Sequence, residues 1–359
     1  MKDQSRFAFI DALRGLAALS VVLFHIHAGT APAVFFATLP QFIQNCLKHG
    51  YLGVHVFFVI SGFVTAYSLK KVKIDFAYFG NFTLRRLIRL TPPYWVTIAL
   101  VIFLRYISNF IIADRVASLP SGQQLIANMF YLQNILGLGN ISDVFWTLCI
   151  EIQFYLIFCL ILFFTQRVQF ILNSSNQLEP STIILTFGSV SLLAAAWPLG
   201  LIEENLGDGL LFPYLYVFLM GAFTWWSFDK KIPENLFIFY VFIIFVACIF
   251  NWKTDSIFSV LTTVIIYLSG KRGNLQDWLN LGWLQYLGTI SYSLYLTHSA
   301  VSSPFLNAGY RITKDSAIGG FLWFSIALIV SFVTAHCLWK FIEKPSAEFS
   351  RRFKPVVNQ

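Results

Sequence analysis

Several side chains that could do chemistry sit inside long apolar runs of this sequence. An ionisable group in hydrocarbon is costly, and by default it marks a pathway or a site. The first apolar run carries Asp11, Arg14 and His25. Arg14 and His25 are eleven residues apart, close to three full helical turns, so they share a face and lie about 16 Å apart along the axis. The guanidinium suits an anion, and the imidazole suits proton transfer near neutrality. The plainer alternatives are a snorkelling or Asp11-paired arginine and a hydrogen-bonded core histidine. Further on, Arg86 and Arg89 form an i, i+3 pair whose guanidiniums can grip phosphates with forked hydrogen bonds. A simple membrane anchor is the competing reading. Glu151 lies about two turns inside another run, with no cation beside it in sequence, so it is protonated or paired with another helix. His298 sits at a depth like that of His25. His27, His55 and His336 lack such context and read as structural.

Helices must carry these residues. Of 359 residues 57% are hydrophobic and 12% charged, about half the charged share of a soluble chain. A crossing helix needs about 20 mostly apolar residues. Runs of that kind lie near 8–28, 51–70, 92–112, 145–165, 181–200, 209–228, 235–251, 254–270, 286–305 and 318–341. The stretch 124–137 is short and reads as re-entrant or interfacial. Pro92-Pro93 suits a helix start or an interfacial kink. The expected fold is all-α: a polytopic membrane helix bundle of about ten transmembrane helices in one domain, 1–345, with a basic cytoplasmic tail, 346–359. Aromatics at 18%, led by 39 Phe with ten Trp, suit lipid-facing surfaces and interfacial belts. The apolar stretch from Gly15 to Phe24 followed by Ala31-Pro32-Ala33 loosely resembles a cleaved signal. The polar residues flanking it favour keeping it as the first helix.

The formal charge is +8, but the basic residues fall mostly in short loops, so their partners are anionic headgroups and nucleic acid is not expected. With the N-terminus cytoplasmic, that side collects Lys2, Arg6, Lys70, Lys71, Lys73, Arg85, Arg86, Arg89, Arg167, Lys230, Lys231, Lys271, Arg272, Lys340, Lys344, Arg351, Arg352 and Lys354. The outer side has Lys48, Arg105, Arg115, Lys253, Arg311 and Lys314. This bias favours N-in and C-in. It also sets the arginines in the inner half and His25, Glu151 and His298 in the outer half. The five cysteines, Cys46, Cys149, Cys159, Cys248 and Cys337, show no CxxC or metal-ligand spacing, and no metal is expected.

Six segments, in order, resemble the acyltransferase 3 family of membrane acyltransferases. They are Phe9-Ile10-Asp11-Ala12-Leu13-Arg14 with His25, Gly53 through Phe63, Arg86-Leu87-Ile88-Arg89, Trp146 through Tyr155 around Glu151, Tyr292 through His298, and Glu343-Lys344-Pro345. The resemblance covers nearly the whole chain. It implies an integral protein of the bacterial inner (plasma) membrane that takes an acyl group, expected to be acetyl, from cytoplasmic acyl-CoA. The acceptor would be a hydroxyl on the outer side, on a cell-envelope or exported glycan. With no esterase-like SGNH domain in the sequence, the stand-alone form is expected. Under this resemblance Arg14, Arg86 and Arg89 hold the CoA phosphates, and His25 is the general base. Glu151 orients and supports its ring, and Tyr295 and His298 touch substrate. A transient acyl-histidine stays open.

Two rivals belong to other classes. A proton-coupled or ion-coupled transporter would also place Arg, Glu and His inside spans, but it favours internal repeats and paired broken helices, and no repeat is evident. A non-catalytic scaffold leaves the cost of Asp11, Arg14, Glu151 and His298 unexplained. Binding of CoA separates the enzyme from both.

Overall fold

The structure is a computed structural model that describes residues 7–29, 31–69, 76–111, 118–173, 179–203 and 209–353. Lys2, Arg6, Lys70, Lys71, Lys73, Arg115 and Lys354 from the charge argument lie outside these residues, as does the end of the tail. Among the described residues the chain is all helix and has no strand. The α-helices are α1 (Ala8–His27), α2 (Ala33–Ala37), α3 (Gln41–Lys48), α4 (Gly53–Ser68), α5 (Phe76–Ile111), α6 (Gly122–Met129) and α7 (Trp146–Asn173). They continue as α8 (Pro180–Ala195), α9 (Leu215–Phe228), α10 (Glu234–Asn251), α11 (Thr254–Lys271), α12 (Gly282–Thr313), α13 (Ala317–Leu338) and α14 (Lys344–Ser350). Each of the ten apolar runs corresponds to a helix. Six helical stretches are long and apolar enough to cross a membrane: Ala8–His27, Gly50–Ser68, Tyr78–Phe110, Trp146–Ile171, Glu234–Asn251 and Ala317–Ser350. Of the other four, α8 and α9 have only 16 and 14 residues, while α11 and α12 are richer in polar side chains. The chain is an integral membrane protein built on these helices.

The run expected to start near residue 92 begins earlier. α5 runs 36 residues, from Phe76, with Pro92 and Pro93 in its interior. Proline breaks the ladder locally because it has no N–H to give. Nearby, the Tyr292 hydroxyl donates to the Leu90 carbonyl at 2.7 Å, and Thr97 donates to the Pro93 carbonyl at 2.8 Å. One continuous helix therefore carries Arg86 and Arg89 at one end and Arg105 toward the other. The segment read as re-entrant or interfacial holds an eight-residue helix, α6, too short to cross. A non-helical stretch links it to α7.

Two helix pairs pack backbone against backbone. A Cβ on Gly288 of α12 would lie 2.3 Å from the Asp11 carbonyl oxygen of α1, and one on Gly15 would lie 2.7 Å from the Gly288 nitrogen. Gly62 of α4 and Gly221 of α9 face each other likewise, each new Cβ meeting a carbonyl oxygen of the opposite helix at 1.9 Å. In lipid, where apolar burial between helices gives little drive, such close contact of small residues is a main source of association. Gly15 precedes His25 by ten residues and Gly288 precedes His298 by ten. The two helices therefore run parallel, and both pairs meet about 15 Å apart along the axis.

Gly288→Leu is expected to force α1 and α12 apart and cost about 1–3 kcal/mol or more, the usual penalty of overpacking. Thermal unfolding in detergent checks it against Gly282→Ala, where nothing lies within 4 Å of the added carbon. Equal stability of the two variants would contradict the close-contact account.

Candidate active site

Five of the seven residues singled out from the sequence line one cavity of about 820 Å³, counted to its open mouth: Arg14, Arg86, Arg89, Glu151 and Tyr295. α1 brings Arg14, α5 brings the Arg86–Arg89 pair, α7 brings Glu151 and α12 brings Tyr295. Phe57, Phe58 and Val54 of α4 give it an apolar wall. Three guanidiniums in one enclosed space need counter-charge. Glu343, 6% exposed in the π-helical stretch Trp339–Glu343, lies in electrostatic range of Arg89 and Arg14. Its carboxylate accepts from Ser293 at 2.6 Å. The Arg86 guanidinium stacks on the Tyr155 ring, 4.7 Å from its centroid, a contact worth about 1 kcal/mol or more where solvent is excluded.

Glu151 accepts hydrogen bonds from Ser61 and from Tyr155, both at 2.5 Å. The sequence reading joined it to His25. Its hydrogen-bond partners in the structure are instead these two hydroxyls, at the arginine end of the cavity. The reason is depth. Thr147, one turn before Glu151, bonds the Tyr295 hydroxyl at 2.8 Å, so Glu151 lies about 6 Å further toward the arginines. Tyr295 in turn is three residues before His298.

The neighbour of His25 is His298. Their rings are 4.9 Å apart, and His298 Nε2 lies 3.2 Å from His25 Nδ1. His298 Nδ1 lies 3.1 and 2.9 Å from the carbonyls of Leu294 and Tyr295. Carbonyl oxygens only accept, so that nitrogen carries the hydrogen, and in a neutral ring Nε2 is then an acceptor. His25 Nδ1 must therefore donate, shared between His298 Nε2 and the Val21 carbonyl at 2.9 Å. This leaves the His25 Nε2 lone pair bare, the tautomer a general base needs. His298 is fully buried with both ring nitrogens engaged. It is therefore placed to hold His25, where the sequence reading had it touching substrate.

The two histidines do not line the arginine cavity; Tyr295, whose ring centroid is 6.0 Å from that of His298, stands between. His55 lies elsewhere, its Nε2 3.7 Å from the Asp255 carboxylate. His336 bonds the Tyr286 hydroxyl at 3.0 Å, and His27 packs on Phe36. Sequence reasoning missed Ser61, Tyr155 and Glu343 as individual residues. Tyr155 was detectable as the i+4 neighbour of Glu151, and Glu343 opens a segment already singled out. Asp143, which acts electrostatically on His25, sits in the turn before α7 and had no signal.

The O-acetyltransferase OatA of Staphylococcus aureus is 27% identical over 94% of this chain. The "Putative peptidoglycan O-acetyltransferase YrhL" of Bacillus subtilis is 26% identical over 96%. In both cases the chain spans 56% of the relative's length. No solved structure matches the chain. The family model described as an acyltransferase domain matches residues 7–340, and the chain belongs to this acyltransferase 3 family.

Proposed function

We propose that this chain is an O-acyltransferase of a bacterial plasma membrane. It moves an acetyl group from acyl-CoA, bound at the arginine end, to a hydroxyl of a cell-envelope glycan at the opposite end. The observation that carries the reading is the alignment of an arginine-lined cavity with a histidine whose Nε2 is left unprotonated. The relatives' names support acetyl as the group and glycan as the acceptor. Ten crossings with both ends cytoplasmic remain the topology we propose, supported by the charge bias and by the parallel run of α1 and α12.

In this mechanism Arg14, Arg86 and Arg89 hold the phosphates of CoA. The thin pantetheine arm passes the Glu151–Tyr155–Ser61 cluster and the Tyr295 and Thr147 hydroxyls, bringing the thioester toward His25. The acceptor O–H gives its proton to His25 Nε2 as its oxygen forms a bond to the carbonyl carbon. The C–S bond then breaks, and the thiolate takes the proton back from the imidazolium, regenerating the base. His298 keeps the tautomer. Glu151 serves the donor by fixing Tyr155 against Arg86.

Arg86→Ala with Arg89→Ala is expected to weaken acyl-CoA binding by about 3 kcal/mol, on the order of a hundredfold. A Lys pair should rescue only partly because it loses the fork. Calorimetry on purified protein reads this, and unchanged affinity returns both residues to the anchor reading. His25→Ala should lower acetyl transfer by at least about a hundredfold with acyl-CoA affinity intact. Near-normal transfer would sink the base assignment. Tag-accessibility mapping should find both termini on one side, the cytoplasmic one; a terminus outside would overturn the donor-inside arrangement.

A further inference from the structure

A second cavity, about 1430 Å³ counted to its mouth, lies beyond the histidine pair. Three elements run through both cavities, and all three give the same order. On α12, Tyr292 and Tyr295 line the arginine cavity, His298 follows, and Ser299 through Arg311 line the second. On α5 the order is Arg86, Arg89 and Leu90, then Val101 through Ser108. Before and along α7, residues 141–143 line the second cavity and Thr147 through Tyr155 the first. Along the axis of α12 the His25–His298 pair therefore sits at a level between the two cavities, and neither histidine lines either of them.

The second chamber has the chemistry of a sugar site. Ser299, Ser303, Asn307 and Arg311 repeat every four residues, so they form one hydrogen-bonding stripe along α12. Ala300, Pro304 and Ala308 form the adjacent stripe, whose small size leaves room for a ring. A sugar presents hydroxyls at its rim and C–H groups on its faces, and this pairing of a polar edge with a bare apolar floor matches both. An acyl chain would leave the polar stripe without partners, at the cost of burying it. The facing turn is held rigidly. Buried Asn128 accepts from the Ile141 N–H at 3.1 Å and donates to the Gly139 carbonyl at 3.1 Å. Arg105 donates to the Ile141 carbonyl at 2.7 Å and to the Ser118 carbonyl at 3.0 Å. The turn carries Asp143, which lines the chamber and acts electrostatically on His25.

We propose that this second chamber is the acceptor site. It takes a hydroxyl-rich sugar unit against the α12 stripe, with the Asp143 carboxylate accepting from a sugar hydroxyl and the reacting hydroxyl turned toward His25. This rests on the transferase reading above and adds where the acceptor sits and which residues recognise it.

The test uses the full chain in detergent, radiolabelled acetyl-CoA, and isolated cell-envelope glycan from the producing strain as acceptor. Asn307→Ala removes one recognition group and should raise the half-saturating glycan concentration about fivefold, the worth of a hydrogen bond, with the rate at saturation and acetyl-CoA affinity unchanged. Ala300→Phe fills the floor and should cut transfer by at least about tenfold while acetyl-CoA still binds. If Ala300→Phe fails to fold, Asn307→Ala decides alone. Wild-type glycan dependence in the folded variants overturns the proposal, as does a loss of acetyl-CoA binding, which would make the chamber part of the donor site. A wild-type protein that binds no acetyl-CoA removes the transferase reading itself, and this site with it. Wild-type transfer combined with indifferent variants removes only the site.

Discussion

An added carbon on Gly288 would sit 2.3 Å from the Asp11 carbonyl, so α1 and α12 must lie backbone against backbone near one end. Because they run parallel and each carries a histidine ten residues further on, that contact delivers His25 against His298. The pairing does more than bring two rings together. The helical carbonyls of Leu294 and Tyr295 fix the hydrogen on His298, His298 fixes it on His25, and a bare Nε2 results. Backbone geometry thus sets a protonation pattern at the middle of the molecule. Larger residues at either glycine would move the helices and with them the proton.

The arginine end depends on a different balance. Guanidiniums close together in a partly enclosed space repel one another and lose hydration, so such a cluster persists only with counter-charge or an anionic ligand. Glu343 and Glu151 are two carboxylates at hand. Glu343 stands by Arg89 and Arg14, and Glu151 acts through Tyr155 on Arg86. Three guanidiniums lining one cavity suit a phosphate-bearing donor, while the apolar wall of Phe57 and Phe58 suits a thin uncharged arm.

Much of this was legible in the sequence because a membrane helix announces its length and the face of each residue. The ten apolar runs, the shared face of Arg14 and His25, and the Arg86–Arg89 pair all follow from periodicity. What periodicity omits is how helices turn toward one another. Glu151 and His25 looked alike in depth. In the structure Glu151 lies deeper, against Ser61 and its own i+4 neighbour Tyr155, and the crossing of α1 with α12 supplies His298 instead. The long α5 was hidden for another reason: two prolines suit a helix start, yet the helix runs through them from Phe76 to Ile111. The turn with Asp143 has no periodicity at all, and only its ties to Asn128 and Arg105 give it a place.

In the proposed reaction an acyl group passes from the arginine chamber, past His25, to an acceptor at the opposite end. Sealed vesicles holding the protein in one orientation, with acetyl-CoA supplied only to the arginine side and glycan enclosed on the other, test it directly. Transfer through the protein yields acetylated glycan on the side that never met acetyl-CoA, at a rate set by His25. Acetylation only when both substrates share one side would contradict it.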